Sequence, residues 1–419
     1  MFKPTLSQSL ERTLAQKLVS IGGLTFFKNY VRSPGSSLDD DFALGSKVST
    51  FTASRSATAP ATYIDSNGVV QLVTTSDIPR YAGGYYDATG FHAQRGLMIE
   101  AAGTNLLAYS NDMSQWTTGG CTFSTDGTLA PDGSQASKVI AAVGGYINKS
   151  SNSTTAGYYT FSLYLKGTVT YLVLGMQKQG GDWSMYTSGS SLSLSATKWR
   201  RFTLTTNKPD DGLKLQVVIQ SLEAGDVLYA WGAQCEFSPY ATSFIPTTTA
   251  ALTRNAEVLK YAIANNRTNA AETIFIKYAN SWAATAPTTA LHLLDSDADK
   301  VSVAFIAASD SYSYYPNATD DAATTVTDTT DPAINTSYVL AAVSYGATVG
   351  TNAEIYSNGV SKATSTTNYT EPVMGTNFFV GSRNDATLQV NGLIQKVAIF
   401  NRALSAAEVL NVTNLLNVS

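Results

Sequence analysis

The stretch at residues 375–416 constrains the fold more than any other part of the chain, because it has the pattern of strand, turn, strand and short helix. Residues 378–380 are a β-favouring run, and residues 394–400 form a second apolar run after a glycine-containing turn. Ser405 stands three positions before Glu408, so hydroxyl and carboxylate can reciprocally cap the free amides of a first helical turn. The sequence therefore predicts a final strand pair closed by a short helix.

Two further extended runs lie upstream, at residues 338–345 and 353–360, and Asn358-Gly359 in the second is a strong hairpin signal. Together with the closing pattern G-x-I-x-x-V-x-I-x-N-R-A-L-S-A-A-E-V, these runs resemble the concanavalin A-like (laminin-G-like) β-sandwich. The resemblance covers the last third of the chain, which we assign to a domain at residues 251–419. It implies a fold and no particular activity, because this sandwich occurs in lectins, hydrolases and plain spacers.

The composition excludes several classes of function. With 419 residues and 44% hydrophobic residues, the chain can form two to four domains with their own cores. The net charge of -4 and the absence of a basic run argue against nucleic acid as a partner. Two cysteines are too few for a disulfide framework, and no apolar run of about 18 residues predicts membrane insertion.

Residues 5–21 have the spacing of an amphipathic helix that ends at Gly22-Gly23. The apolar stripe of this predicted helix comprises Leu6, Leu10, Leu14, Leu18 and Ile21. The stripe either packs on its own domain or docks the chain to a larger assembly or to other copies of itself. We therefore treat residues 1–30 as an attachment segment.

Residues 31–108 are predicted to form a separate β module. The acidic run at residues 39–41 is expected in a solvated loop, because three successive side chains diverge. The runs FTASRSAT, YIDSNGVV, IPRY, GLMIE and TNLLAYS within residues 51–110 resemble a module of tailed-phage structural proteins. That module usually has arginine where this chain has Gly103, and the resemblance implies a packing role.

Residues 109–250 are predicted to form a β-jelly-roll of the carbohydrate-binding-module type. Residues 157–167 alternate in polarity as a half-buried strand does, and residues 199–204 and 213–219 are further strands. The closing runs within residues 227–247 resemble the end of the same phage module. The expected fold class is thus mainly β and multi-domain: a short N-terminal helix, a jelly-roll and a concanavalin A-like sandwich.

Motifs of catalysis and metal binding are missing from the sequence. His92 and His292 have no metal-ligand spacing beside them, and there is no nucleophile elbow, zinc motif or phosphate loop. The series of acids that glycosidases of the sandwich fold carry on one strand is also missing. Residues 295–300 resemble the start of a calcium loop, but Lys300 replaces the required glycine. We expect no enzyme, no catalytic residue, no cofactor and no metal, with weak calcium binding near Asp295 left open.

Aromatic residues are the better binding candidates, because a flat ring stacks on a sugar while neighbouring polar groups bond its hydroxyls. One set lies in a glycine-broken polar stretch with Gln177 and Gln179. The candidates are Asp182, Trp183 and Tyr186 in that stretch, and Tyr312, Tyr314 and Tyr315 in the sandwich. The alternative for each is strand core, although adjacent tyrosines on one strand cannot both point inward.

These features favour a non-enzymatic phage virion protein, a fibre, spike or decoration assembled in the host cytoplasm. The expected partners are other virion proteins, further copies of the chain (a trimer, by analogy with viral fibres) and host-surface glycans. A structural spacer without ligand and a polysaccharide depolymerase are the alternatives.

Overall fold

The computed structural model describes much of the chain in separate stretches. These are residues 16–21, 24–29, 36–43, 51–55, 60–169, 171–180, 184–267, 271–280, 291–297, 302–306, 311–316, 326–328, 335–346, 352–369 and 375–418. Antiparallel strands dominate these stretches, and they form a two-sheet sandwich and a jelly-roll. The expected mainly β fold class, with a jelly-roll and a concanavalin A-like sandwich, is confirmed.

The first described element is a hairpin of β1 (Gln16–Ile21) and β2 (Leu24–Asn29), with Ile21 paired to Leu24. The predicted N-terminal helix is therefore wrong at Leu18 and Ile21, which lie in a strand, while Leu6, Leu10 and Leu14 lie outside the described residues. Two β-favouring runs separated by Gly-Gly are a hairpin signature, and periodicity alone cannot distinguish helix from strand in a short apolar run.

The sandwich draws strands from both ends of the chain. Its front sheet has the order β4 (Phe51–Ser54), β19 (Val258–Ala262), β28 (Asn377–Val380), β21 (Leu291–Ser296), β22 (Ser302–Ile306), β23 (Ser311–Tyr315) and β24 (Val326–Asp328). Its back sheet has the order β7 (Tyr81–Asp87), β8 (Gly90–Ile99), β29 (Gly392–Phe400), β20 (Glu272–Asn280), β25 (Ser337–Ser344), β26 (Ala353–Ser357) and β27 (Val360–Ser365). Strand β3 (Leu38–Asp41) also pairs with β29. Residues 31–108 thus contribute four strands to these sheets, and they do not stand apart as a module.

The sandwich core lies between the two sheets, and a second apolar layer covers the outside of the back sheet. Helix α1 (Ala406–Val418) packs there through Val409, Val412 and Leu416. The capping box forms as expected, since Ser405 N donates to Glu408 Oε2 at 2.9 Å and Glu408 N donates back to Ser405 Oγ at 3.4 Å.

The hairpin predicted at Asn358-Gly359 is also present. Ser357 pairs with Val360, and the two loop residues have φ of 48° and 80°. Positive φ at both loop positions is the type I′ geometry that favours Asn-Gly, so local sequence sets the register of this strand pair.

The jelly-roll is inserted into the sandwich. Its strands are β10 (Thr117–Ser124), β11 (Ser137–Ser150), β12 (Gly157–Thr168), β13 (Val173–Gln179), β14 (Met185–Ser188), β15 (Arg200–Lys208), β16 (Lys214–Leu222) and β17 (Val227–Glu236). The pairing order is β14-β13-β16-β11-β17-β12-β15, with β10 also on β11. One end of the long strand β11 pairs with β16 and the other with β17, so this strand joins the two layers around the core.

The chain enters and leaves the jelly-roll at one place. Strand β9 (Gly103–Asn105) precedes the jelly-roll and pairs with β18 (Leu252–Arg254), which follows it. The hairpin of β5 (Ala61–Ile64) and β6 (Val70–Val73) packs against the outside of the jelly-roll, where Thr62 Oγ1 donates to Phe244 O at 2.6 Å.

The acidic run at residues 39–41 is not a solvated loop, because all three carboxylates are fully buried on β3. Lys396 Nζ lies 3.7 Å from Asp39 and 3.6 Å from Asp41, and the Tyr261 hydroxyl donates to Asp40 at 3.0 Å. Buried charges persist when they are paired in this way, so tertiary pairing overrides the local solvation preference.

Candidate functional site

The structure places Tyr312 and Tyr314 in the sandwich core, where both are 0% exposed. They occupy alternate positions of β23 and therefore face the same side, between the sheets. Tyr312 lies against Tyr278 and Tyr338. The prediction that Tyr312 and Tyr314 contact a ligand is wrong for this reason, whereas Tyr315 is half-buried.

In the jelly-roll, Asp182 and Trp183 lie outside the described residues, and Tyr186 lies on β14. The Tyr186 hydroxyl donates to both oxygens of Asp211, at 2.8 and 3.1 Å, while Lys208 Nζ lies 5.6 Å from the ring centre. Burial and the bond to Asp211 raise the pKa of Tyr186. Tyr186 thus joins β14 to the turn between β15 and β16, and its hydroxyl is already used within the fold.

A row of three amide side chains crosses neighbouring strands of the jelly-roll. Gln177 Nε2 on β13 donates to Gln216 Oε1 on β16 at 2.7 Å, and Gln216 Nε2 donates to Asn148 Oδ1 on β11 at 3.0 Å. Their strand neighbours Met176 and Val217 lie in the core, so the row lies on the outer face of the sheet. Although they lie on an outer face, Gln216 and Asn148 are only 5% and 7% exposed.

The row borders an apolar floor. Val218 is buried on the same face, and the Met185 side chain lies across Gly175. A Cβ at Gly175 would lie 2.2 Å from the terminal Met185 methyl and 2.9 Å from Val218, so a larger residue there would displace the Met185 side chain from this position. We call the surface formed by Asn148, Gln177, Gln216, Met185 and Val218 the amide face.

Further polar and aromatic groups flank the amide face. Ser150 Oγ donates to Gln179 Oε1 beside the row. Tyr146, two residues before Asn148 on β11, is 40% exposed, and Tyr171, just before β13, is 46% exposed. The face combines amide donors and acceptors with an apolar floor, and the exposed Lys214, which pairs with Gln179, lies beside it on the same side of the sheet.

This chemistry suits a neutral ligand with many hydroxyl groups. A side-chain amide offers both a carbonyl acceptor and N–H donors, which match a hydroxyl in either role. Bonds within the row fix the orientation of each amide before a ligand arrives, so less entropy is lost on binding. The face contains no group that could serve as a general acid, a base or a nucleophile.

The strongest concentration of charge among the described residues lies away from this face and is buried. Arg80 contacts both Glu100 and Glu257, and Arg254 also contacts Glu100. Burial acts to raise the pKa of Glu100, but the charges of Arg254 and Arg80 outweigh it and lower that pKa to about 2. These carboxylates are held by arginines and serve the structure.

The described residues contain no group of three or more His, Cys, Asp or Glu side chains arranged to hold a metal ion. Near the loop considered for calcium, Asp297 Oδ2 accepts from the backbone amides of Thr376 and Asn377, at 2.8 and 2.7 Å. The Asp297 carboxylate thus fixes the start of β28. No described helix is both long and apolar enough to cross a lipid bilayer.

The sequence indicated only one edge of the amide face. Gln177 and Gln179 were visible as alternating amides, but Gln216 and Asn148 join them only through pairing of strands distant in sequence. The one local signal for Gln216 is the run LQVVIQ, in which an amide interrupts a strand of core residues.

Comparison with known proteins supports the assignment of the sandwich. Residues 268–410 match the family described as the concanavalin A-like lectin/glucanases superfamily. No curated protein matches the chain.

Among solved structures, the chain is similar to the enzymatically active domain of tailspike protein 4 of bacteriophage CBA120, with 11% identity and a TM-score of 0.27 over 31% of this chain. The matched part is 21% of that tailspike chain. The CBM22-1 xylan-binding domain of Paenibacillus barcinonensis Xyn10C is 15% identical with a TM-score of 0.27, covering 33% of this chain and 96% of that domain. A heptameric SAP-like pentraxin of Limulus polyphemus is 13% identical with a TM-score of 0.27, covering 34% of this chain and 71% of that one.

Proposed function

We propose that the chain is a non-enzymatic structural and adhesion protein of a phage virion, which binds neutral glycans through the amide face of its jelly-roll. The observation that carries the binding part is the row of Gln177, Gln216 and Asn148 across three strands. Amide side chains that are fixed by hydrogen bonds to each other, next to an apolar floor, match the alternating polar and apolar surfaces of a sugar.

The virion part of the proposal is supported by the sequence. The segments at residues 51–110 and 227–247 resemble a module of tailed-phage structural proteins, and only 14% of the residues are charged. In this view the protein is a fibre, spike or decoration and forms a homo-oligomer, a trimer by analogy with viral fibres. Repeated weak sites on one particle would gain affinity through avidity.

Calorimetry with the full chain and neutral xylan- and glucan-derived oligosaccharides tests the binding part. Gln177→Leu should lower the affinity by about tenfold or more, since it removes the amide at the end of the row while keeping the side-chain volume. Gln135→Leu, in an exposed turn of the same domain, is the matched control and should bind as the unmodified chain does.

Equal affinity of the two variants would show that the amide face is not the glycan site, and no binding of any neutral glycan would favour the structural spacer. Incubation with host capsule separates adhesion from the depolymerase alternative, because an adhesin releases no reducing ends. Mass spectrometry of purified particles tests the virion assignment, which fails if the chain is missing from them.

A further inference from the structure

A recess lies between the jelly-roll and the sandwich, away from the amide face. It runs along β15 and faces the hairpin of β7 and β8, with a volume of about 920 Å³. Cavities of about 300–1,000 Å³ are typical of small-molecule sites, and such sites often lie between domains. Residues that decide its chemistry are Tyr85, Asp87, Arg200, Arg201, Thr203 and Asn335.

The side chains that line this recess carry a net positive charge, because they include two arginines and one aspartate. Arg200 Nη1 donates to Ser193 O at 2.8 Å, and Arg201 Nη2 donates to Thr242 O at 2.8 Å, so both guanidinium groups bond neutral oxygens. In the part of the chain that the structure describes, no carboxylate lies within 4.0 Å of either guanidinium.

The one acidic residue of the lining, Asp87, is engaged by its own turn. Its Oδ1 accepts from Thr89 N at 2.7 Å and Gly90 N at 3.2 Å, and it lies 3.0 Å from His92 Nε2. These bonds lower the pKa of Asp87 although burial acts to raise it. The carboxylate is therefore held within the hairpin and keeps its negative charge, but it lies more than 4.0 Å from both guanidinium groups, so the two arginines leave the lining with a net positive charge.

An aromatic ring lies in the same recess. Tyr85 is half-buried, and the ring of His92 stacks on it with centroids 5.1 Å apart and planes 21° from parallel. Stacking on one side fixes the tyrosine ring in orientation, so its remaining surface can serve as a rigid platform. Thr203 and Thr205 on β15 also line the recess, and the Thr205 hydroxyl lies 2.9 Å from Thr160 Oγ1.

We propose that this recess binds a carboxylate-bearing saccharide, with the Arg200 guanidinium pairing the carboxylate and the Tyr85 ring lying under the sugar. Arg200 carries the recognition because Arg201 is tied at two oxygens, Ser162 Oγ and Thr242 O, and stacks 5.5 Å from the Tyr164 ring centre. A guanidinium matches the geometry of a carboxylate and can bond it through two N–H groups. This site is separate from the amide face and does not depend on it.

Calorimetry of the full chain with trigalacturonate, its methyl ester and inorganic phosphate tests the proposal. Trigalacturonate should bind, and both esterification and Arg200→Gln should lower the affinity by about tenfold or more. Lys198→Gln removes an equal charge two residues away, outside the lining, and should leave binding unchanged. Tyr85→Leu should also weaken binding, because it removes the aromatic platform.

The proposal is overturned if trigalacturonate does not bind, if its ester binds equally well, or if the Arg200→Gln variant binds it equally well. Phosphate bound as tightly as trigalacturonate would reject a saccharide site in favour of a general anion site. Since Gln177→Leu should leave trigalacturonate binding intact, failure at the amide face and failure at this recess are distinguishable.

Discussion

Arg80 and Glu257, 177 positions apart in the chain, form a buried ion pair in which Nε and Nη2 of the arginine donate to the two carboxylate oxygens. Arg80 Nη2 also lies 2.8 Å from Glu100, and Ser243 Oγ donates to the same Glu100 carboxylate at 2.6 Å. Ser243 follows the last jelly-roll strand and Glu257 precedes a sandwich strand. The network therefore joins both domains where the chain passes between them.

Breaking this pair on one side should destabilise the protein strongly. Arg80→Met leaves the buried Glu257 without its main counter-charge, whereas Glu100 keeps Arg254, and breaking a buried pair in this way typically costs about 3–5 kcal/mol of unfolding free energy. Urea unfolding followed by tryptophan fluorescence measures the loss. The double variant Arg80→Met with Glu257→Leu should recover part of it, because it no longer leaves Glu257 as an isolated buried charge.

The matched control is the exposed pair of Arg402 and Glu408, whose atoms approach to 2.7 Å. Arg402→Met should cost about 1 kcal/mol or less, since solvent screens a surface pair. Equal losses for Arg80→Met and Arg402→Met would show that the buried network does not hold the domains together.

Lowering the pH should reduce the free energy of unfolding, partly because Glu100 becomes protonated. The pKa of Glu100 is about 2 in the folded chain and about 4.3 in an unfolded one. A carboxyl with a lowered folded pKa stabilises fully above its unfolded value, and this contribution is lost as the pH falls from about 5 towards 2. Glu100→Gln should therefore flatten the dependence of unfolding free energy on pH between about 5 and 3.

Glu236 provides a control, because its pKa is shifted in the opposite direction from that of Glu100. Burial raises the pKa of Glu236, so its folded form prefers the proton and stability falls as the pH rises above the unfolded pKa. Glu236→Gln should make the acid limb of the curve steeper, whereas Glu100→Gln makes it shallower. Parallel curves for the two variants would contradict the opposite roles of these carboxyls.

Local sequence predicted the elements whose geometry depends on near neighbours. The Ser405–Glu408 capping box and the turn at Asn358-Gly359 are present because their bonds and dihedral angles involve only adjacent residues. The sandwich could be predicted because its strand pattern at residues 338–400 is strong.

Long-range pairing explains what the sequence did not reveal. The strand at residues 38–41 is acidic, yet it is buried because Lys396 and Tyr261 reach its carboxylates from distant strands. The amide face likewise depends on the register between β11, β13 and β16. Neither arrangement leaves a periodic signal within one segment.

The adjacent residues Tyr314 and Tyr315 of β23 should differ in how much stability is lost when each is replaced by alanine. Tyr314→Ala removes a fully buried ring and should cost about 3–5 kcal/mol, as large aromatic deletions in cores do. Tyr315→Ala, at a half-buried position, should cost about 1 kcal/mol. Thermal unfolding of the two variants checks the order, and a larger loss for Tyr315→Ala would contradict the assigned facing of β23.

The discontinuous sandwich should survive removal of the jelly-roll but not removal of its own first strands. Gly103 on β9 and Arg254 on β18 are paired across neighbouring strands, so their Cα atoms are about 5 Å apart and a short Gly-Ser linker can replace residues 107–250. This variant should unfold cooperatively, with a lower midpoint because Ser243 no longer bonds Glu100.

A fragment of residues 251–419 lacks β3, β4, β7 and β8 and exposes one edge of β29 and of β19, so it should aggregate or remain unfolded. Circular dichroism and size-exclusion chromatography compare the two proteins, and a stable, monomeric fragment 251–419 would show that the N-terminal strands are dispensable.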